Sequence, residues 1–291
     1  MAGTSKPVVI IESVALLAPR YDLWLCDVWG VIHNGERAFE AATSACAQFR
    51  SKGGTVVLVS NSPRPRNALI EQLDSIGVPR EAYDAVATSG ELTRQLVSRR
   101  EGMRVFHLGP DRDKPIFAGL DVQHVALERA EVVVCSGLYD DRTETPEDYA
   151  EQLAELKRLG LTMICANPDH MVERGSSLIY CAGALAHAYE ALGGEVVYAG
   201  KPHAAIYDLA LGLAEKARGA PVAPERVLAI GDGLATDMAG AFAAKIDALF
   251  VASGVHIAGH NSGEKLEAAS VTGLFEGHEA QPIAALSALK W

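Results

Sequence analysis

The sequence is short of positive charge, of paired cysteines and of long hydrophobic runs. Its 291 residues carry 26 Lys and Arg against 37 Asp and Glu, a net charge of −11. An acidic surface repels nucleic acid and anionic membranes, so neither is a favoured partner. A small phosphorylated substrate stays allowed, because a local lysine or a bound cation overrides the global field. The five cysteines (Cys26, Cys46, Cys135, Cys165 and Cys181) are scattered and odd in number, with no Cys-x-x-Cys pair. That pattern argues against a disulfide framework or a zinc site and for buried thiols in a reducing compartment. The first twenty residues lack a basic segment followed by a long apolar run, and Glu12 and Pro19 break their apolar patches. Neither a signal peptide nor a membrane span is expected, and the expected location is cytoplasmic. Repeats, low-complexity tracts and long linkers are also missing from the sequence.

What is present is a steady alternation of short apolar runs and helical patterns. Strands are expected at 22–26, 55–60, 104–108, 131–135, 161–165, 195–199, 227–230 and 248–251. Each has four to six residues and most are rich in Val, Ile or Leu, as strands buried on both faces should be. Between them lie amphipathic segments. His203 to Arg218 puts Ile206, Leu209, Ala210 and Leu213 on one stripe. Thr145-Pro146-Glu147-Asp148 combines an N-cap, a proline in the first turn and a capping box ahead of Tyr149, Leu153 and Leu156. This alternation predicts an α/β fold, a doubly wound parallel sheet with helices on both faces. The polar stretches at 99–102 and 174–177 are the best places for the chain to cross between two lobes.

Four segments have the composition of a reactive site. Leu23-Trp24-Leu25-Cys26-Asp27-Val28-Trp29-Gly30 is an apolar strand running into a carboxylate and then a glycine. In open α/β sheets the ligand crevice lies at the carboxyl ends of the strands, which is where Asp27 falls. Val56 to Ser62 is a second strand, ending in Ser60-Asn61-Ser62, whose small polar groups can hold anionic oxygens without bulk. Gly200-Lys201-Pro202-His203 follows a strand and opens a helix, so Lys201 lies near a helix N-terminus, a natural anion site. Val227 to Asp237 is a strand followed by Gly231-Asp232-Gly233 and then Asp237, two acids five apart in a glycine-containing loop. Such a loop supplies the oxygen ligands that a hard divalent cation requires. Each segment alone has an ordinary explanation: a turn-capping aspartate, a solvated polar turn, a surface lysine, a Gly-Asp turn.

Taken together and in this order, the four segments resemble the sequence motifs of the haloacid dehalogenase-like superfamily. The stretches 88–92, 134–139, 165–169 and 181–185, with Gly200-Lys201-Pro202-His203, resemble the class IIA phosphatases. That group includes pyridoxal, phosphoglycolate and nucleotide phosphatases. The resemblance covers roughly residues 20 to 255. It implies a Rossmann-like core at about 1–100 and 180–291, with an inserted α/β cap at about 101–179. It also implies a Mg²⁺-dependent hydrolase of small phosphorylated substrates, working through an aspartyl phosphate on Asp27. Mg²⁺ would be held by Asp27, Asp232 and the backbone carbonyl of Trp29, with Asp237 holding a water or the loop. Lys201 and Ser60 would act on the phosphoryl oxygens, with Asn61 and the Trp29–Gly30 backbone binding the phosphate. Asn167 and Asp169 would face the leaving group or, equally, anchor a structural turn. Cap-to-cap dimers occur in related enzymes, so a homodimer is allowed.

One residue departs from that pattern. Phosphatases of this superfamily carry a second Asp two positions after the nucleophile, as general acid and base, and Trp29 stands there. General acid–base help is worth about 10²–10⁴ in rate. Three readings follow: substrates whose leaving group needs no proton, a proton from His33 or His170, or a protein that binds a phosphorylated ligand with little turnover. Aromatic residues at this position also occur in the metal-independent 2-haloacid dehalogenases, a competing activity. The acids Asp232 and Asp237 and the α/β character of the insert speak against it. Arg64 and Arg66 are candidates to meet an anionic substrate tail, whereas Asn34 and His203 read as turn residues.

Overall fold

The computed structural model describes residues 7–99, 101–174, 177–252 and 266–291. Two parallel sheets carry the fold. The first begins with β1 (Leu23–Asp27), β2 (Thr55–Ser60) and β3 (Ala85–Thr88). Between β3 and the next strand of that sheet the chain builds a second one. Its strands are β4 (Met103–Leu108), β5 (Val122–His124), β6 (Val132–Cys135) and β7 (Thr162–Cys165). An antiparallel hairpin follows, β8 (Met171–Arg174) with β9 (Ser177–Tyr180), and β10 (Val196–Tyr198) returns to the second sheet. β11 (Val227–Gly231), β12 (Asp247–Val251) and β13 (Ala284–Leu286) complete the first sheet. The orders are β13-β12-β11-β1-β2-β3 and β10-β7-β6-β4-β5. Among the described residues, no helix is long and apolar enough to cross a membrane.

Both orders have the same plan. The chain winds outward in one direction from a central strand and later outward in the other. The direction reverses between β1 and β11 in the first sheet and between β4 and β6 in the second. Such reversals leave a crevice at the carboxyl ends of the strands, because the flanking connections diverge to opposite faces. The register is tight at the first reversal: Cys26 lies opposite Ile230, and on the other side Asp27 lies opposite Val59.

By compactness the chain forms two units, Met1–Val59, Gln72–Val86 and Tyr207–Trp291 in one, Ser60–Glu71 and Ala87–Ile206 in the other. In the first, every residue of β1 and of β11 is buried. Trp24 on β1 stacks face to face on Phe49 of α1 (Glu40–Ser51), with centroids 3.9 Å apart. Apolar burial of this kind is worth about 25 cal/mol per Å².

The second unit has its own core. After α2 (Arg66–Ser75) and α3 (Ser89–Val97), the latter capped by Thr88, the helices α4 (Ala150–Arg158) and α5 (Ala182–Ala191) cover one face of the second sheet. Leu153, Leu156, Leu185 and Tyr189 pack there on Met163 and Val133. Truncating one such side chain to alanine costs about 2–5 kcal/mol. The capping box read from the sequence is formed: the Thr145 N–H donates to the Asp148 carboxylate (2.8 Å) just ahead of α4. The helix predicted from His203 is α6 (Ala204–Arg218). All five cysteines are buried and free, which agrees with their scattered, unpaired placement.

Candidate functional site

In the first unit, the sheet reversal gathers acids. Asp27 is the last residue of β1 and is buried; Asp232 follows the end of the neighbouring β11. One turn of π-helix, Leu234–Met238, then brings Asp237 back, also buried. One carboxylate oxygen from each of the three lies within 4.8 Å of the other two. Asp237 is held there by the Gly233 N–H, which donates to its Oδ2 (3.1 Å). Two full negative charges at 4.8 Å repel by about 3 kcal/mol at an effective dielectric of 20, so the trio is costly without a cation. An all-oxygen donor set suits a hard divalent ion.

The turn after Asp27 fits round this cluster. Gly30 has φ +84° and lies against Asp232: a Cβ there would stand 2.2 Å from Asp232 Oδ2. Its N–H donates to the His33 carbonyl (2.8 Å), closing the turn. Trp29 is turned onto Gly35, which has φ +90° and whose Cβ would meet the indole Cη2 at 2.5 Å. The His33 ring stands nearly perpendicular to that indole, 5.2 Å away. His33 Nδ1 accepts from the Gly35 N–H (2.8 Å), so the neutral ring carries its proton on Nε2. Burial pushes the His33 pKa down to about 4. At neutral pH His33 is an uncharged packing partner of Trp29. Asn34 forms the turn expected of it, its Oδ1 accepting from the Glu36 and Arg37 N–H groups.

In the second unit, a different set converges on Asn61. Its Nδ2 donates to Asp169 Oδ1 (2.8 Å) and to the Lys201 carbonyl (3.2 Å), while its Oδ1 accepts the Lys201 N–H (2.8 Å). The Ser89 hydroxyl, at the start of α3, adds a longer bond to the same Oδ1 (3.4 Å). Asn61 therefore fixes the chain at Lys201 and at Asp169 at once. Lys201 is itself buried, as is Ser60, whose Oγ accepts the Ser62 N–H. Asn167 shapes the Asp169 turn by accepting its N–H (3.1 Å). His170 is exposed and lies among the rings of Tyr180 and His187, and His203 stacks on Tyr198. Arg64 is exposed and Arg66 opens α2.

Sequence reasoning assigned no role to Ser89, nor to a pair on the loops after β4 and β6. Arg112 Nη2 donates to Asp141 Oδ2 (2.5 Å), and Asp113, buried nearby, is bonded by Ser136. The signal was weak: an Arg-Asp and an Asp-Asp dipeptide in polar turns look like solvated surface.

The sequence pattern described as haloacid dehalogenase-like hydrolase matches residues 24–123, and a second pattern, HAD-hydrolase-like, matches residues 198–273. A crystal structure of a haloacid dehalogenase-like hydrolase from Brucella suis 1330 superposes with a TM-score of 0.86 at 48% identity, covering 96% of this chain and all of that one. The 5′-nucleotidase YutF of Bacillus subtilis is 25% identical over 239 residues, 81% of this chain and 88% of its own. D-glycerol 3-phosphate phosphatase of Mycobacterium tuberculosis is 27% identical over 246 residues, 83% of this chain and 66% of its own. With a near-full-length relative at that identity and both sequence patterns in place, the chain is a haloacid dehalogenase-like hydrolase.

Proposed function

We propose that the protein is a Mg²⁺-dependent phosphatase of a small phosphorylated metabolite, acting through an aspartyl phosphate on Asp27. The observation that carries this reading is the trio Asp27, Asp232 and Asp237, three oxygen donors within 4.8 Å beside the ends of β1 and β11. The two relatives named for their substrates act on a nucleotide and on glycerol 3-phosphate, both small phosphate monoesters.

Asp27, Asp232 and the Trp29 carbonyl would hold the ion, whose positive charge would offset repulsion between the Asp27 carboxylate and the phosphate. An Asp27 oxygen attacks phosphorus, the bond to the leaving oxygen breaks, and the phosphoryl group rests on Asp27. Water then attacks phosphorus, the bond to Asp27 breaks, and phosphate leaves. Lys201 and Ser60 stabilise the charge on the phosphoryl oxygens, and Asn61 and the Asp169 turn fix where Lys201 stands. Gly30 lets the loop lie against Asp232. Residues 101–179 would take the part of the cap, with Asn167 and Asp169 toward the leaving group.

Trp29 supplies no proton, and His33 is neutral and packed on it. Rates should therefore fall steeply as the leaving-group pKa rises. The test is release of phosphate from p-nitrophenyl phosphate with Mg²⁺, which should disappear in Asp27→Asn; activity that survives the substitution refutes the mechanism. Trp29 also favours a second reading, dehalogenation of 2-haloacids, because a halide leaves without a proton. In that case halide release persists in EDTA, and loss of activity with chelator excludes it.

A further inference from the structure

All three tryptophans lie in the first unit, in different surroundings. Trp24 is fully buried and stacked on Phe49, with Trp291 6.4 Å from it. Trp29 is instead part-exposed, on the turn that follows the proposed nucleophile. That turn lies on the acid cluster, since a Cβ on Gly30 would stand 2.2 Å from Asp232 Oδ2. Asp27, Trp29, Gly30 and Asp232 therefore share one small region, all of it within the first unit.

The indole is braced there. A Cβ on Gly35 would meet its benzo-ring carbons Cη2, Cζ2 and Cζ3 at 2.5, 3.0 and 3.2 Å. The benzo ring therefore rests on bare Gly35 backbone, whose φ of +90° suits glycine. His33, itself buried, meets the indole at 5.2 Å with its ring nearly perpendicular. The Gly35 N–H donates to His33 Nδ1 (2.8 Å), which ties the two supports to each other. An aromatic ring fixed in this way has little freedom left to lose on meeting a ligand, as a recognition surface requires.

Chemistry narrows what such a ring can recognise. With Trp29 where a general acid would stand, the phosphorus–oxygen bond breaks without a proton, and the leaving oxygen keeps the electron pair. Phenols leave as anions far more readily than aliphatic alcohols; tyrosine, with a pKa of about 10, is the familiar case. They are also flat, and a flat ring stacks on an indole. The residue that withholds the proton thus offers a surface matched to leaving groups that need none. We propose that Trp29 is a specificity-determining residue whose indole stacks on the ring of an aryl or heteroaryl phosphate, with His33 and Gly35 as its positioning residues. This rests on the phosphatase reading and names the substrate class within it. The preference resides in KM.

The experiment compares two esters whose leaving groups are of comparable acidity and differ in shape, phenyl phosphate and hexafluoroisopropyl phosphate, with Mg²⁺. The wild type should favour the phenyl ester in kcat/KM, through KM. In Trp29→Leu that ratio should fall about 3- to 10-fold, as loss of an aromatic pair does, and Trp29→Phe should keep most of it. Because the ratio is taken within each variant, partial loss of folded protein or of metal cancels. A wild type without the preference, a ratio unchanged in Trp29→Leu, or an equal fall in Trp29→Phe overturns the proposal. If the wild type releases phosphate from neither ester, the phosphatase reading fails, and phenylphosphonate and cyclohexylphosphonate are compared by melting temperature with Mg²⁺. A larger rise with the flat ring that vanishes in Trp29→Leu upholds the stacking surface. Equal rises, no rise, or a difference that persists in Trp29→Leu overturn it.

Discussion

The two sheets share a winding plan and differ in what they place at the point of reversal. In the first, β1 and β11 run out into Asp27 and Asp232, and Asp237 folds back to join them within 4.8 Å. In the second, β4 and β6 run out into loops that join Arg112 to Asp141. The backbone solution is the same, so the topology cannot be what assigns a task to either. The charge of the loop residues does that, as expected when function is grafted onto a common fold. Like charges crowded together call for a cation; an arginine already matched by a carboxylate does not.

The comparison breaks first if the acids of the first sheet are not a cation site. Asp232→Asn should lower p-nitrophenyl phosphate turnover by about 10²–10³, with a higher Mg²⁺ concentration needed for half-maximal rate. EDTA should abolish wild-type activity and excess Mg²⁺ should restore it. Activity indifferent to chelator would mean that the trio serves the loop alone. Lys201→Met should cost about 10² in kcat with the Mg²⁺ requirement unchanged, which separates the phosphate-binding lysine from the acid cluster.

A smaller effect tests how the turn after Asp27 is built. Gly30→Ala places a methyl 2.2 Å from Asp232 Oδ2 at φ +84°, and Gly35→Ala places one 2.5 Å from the Trp29 ring at φ +90°. The two strains are alike, and one presses on the acid cluster, the other on the indole. Gly30→Ala should therefore raise the Mg²⁺ requirement and cut activity about tenfold or more. Gly35→Ala should instead shift the tryptophan emission and change the dependence on leaving group more than on metal.

These outcomes bear on what a sequence can disclose. The strand at Thr55–Ser60 and the ends of β1 and β11 were legible because continuous apolar runs buried on both faces stop abruptly at polar residues. Asp27 and Asp232 fall at strand ends by chain position, but reading them as a site took the four segments together. β13 was not legible: Ala284-Ala285-Leu286 is short and lacks β-branched residues, and it is a strand through its pairing with β12 and a bridge to Ile10. The β8–β9 hairpin was missed as well, although the sequence between its strands, Gly175-Ser176, is a two-residue pair that hairpins favour; the stretch read instead as a crossing between lobes. Within the candidate site, nothing local reveals that Asn61 holds Asp169, 108 positions away, or the Lys201 backbone, 140 away. The same holds for Arg112 and Asp141. Motifs at strand ends are one-dimensional facts, whereas the contacts that orient them arise from the packing of distant loops.

The smallest expected effect sharpens the comparison from the side of the second sheet. His107, next to the end of β4, has its pKa pushed down to about 4, chiefly by burial and further by His124 and Lys114, with Asp111 acting in the opposite sense. An unfolded histidine titrates near 6.5. Between those values the unfolded chain binds a proton that the folded ring declines, so stability is full above about pH 6.5 and erodes as the pH falls toward 4. The melting temperature should drop across that window. His107→Gln, which keeps a hydrogen-bonding group toward Ser136 and cannot be protonated, should flatten the drop while lowering the melting temperature slightly at pH 7. If the slope between pH 6.5 and 4 is the same in both proteins, His107 is not held neutral by its burial. The hydrogen bond to Ser136 would then have to accommodate a charged ring.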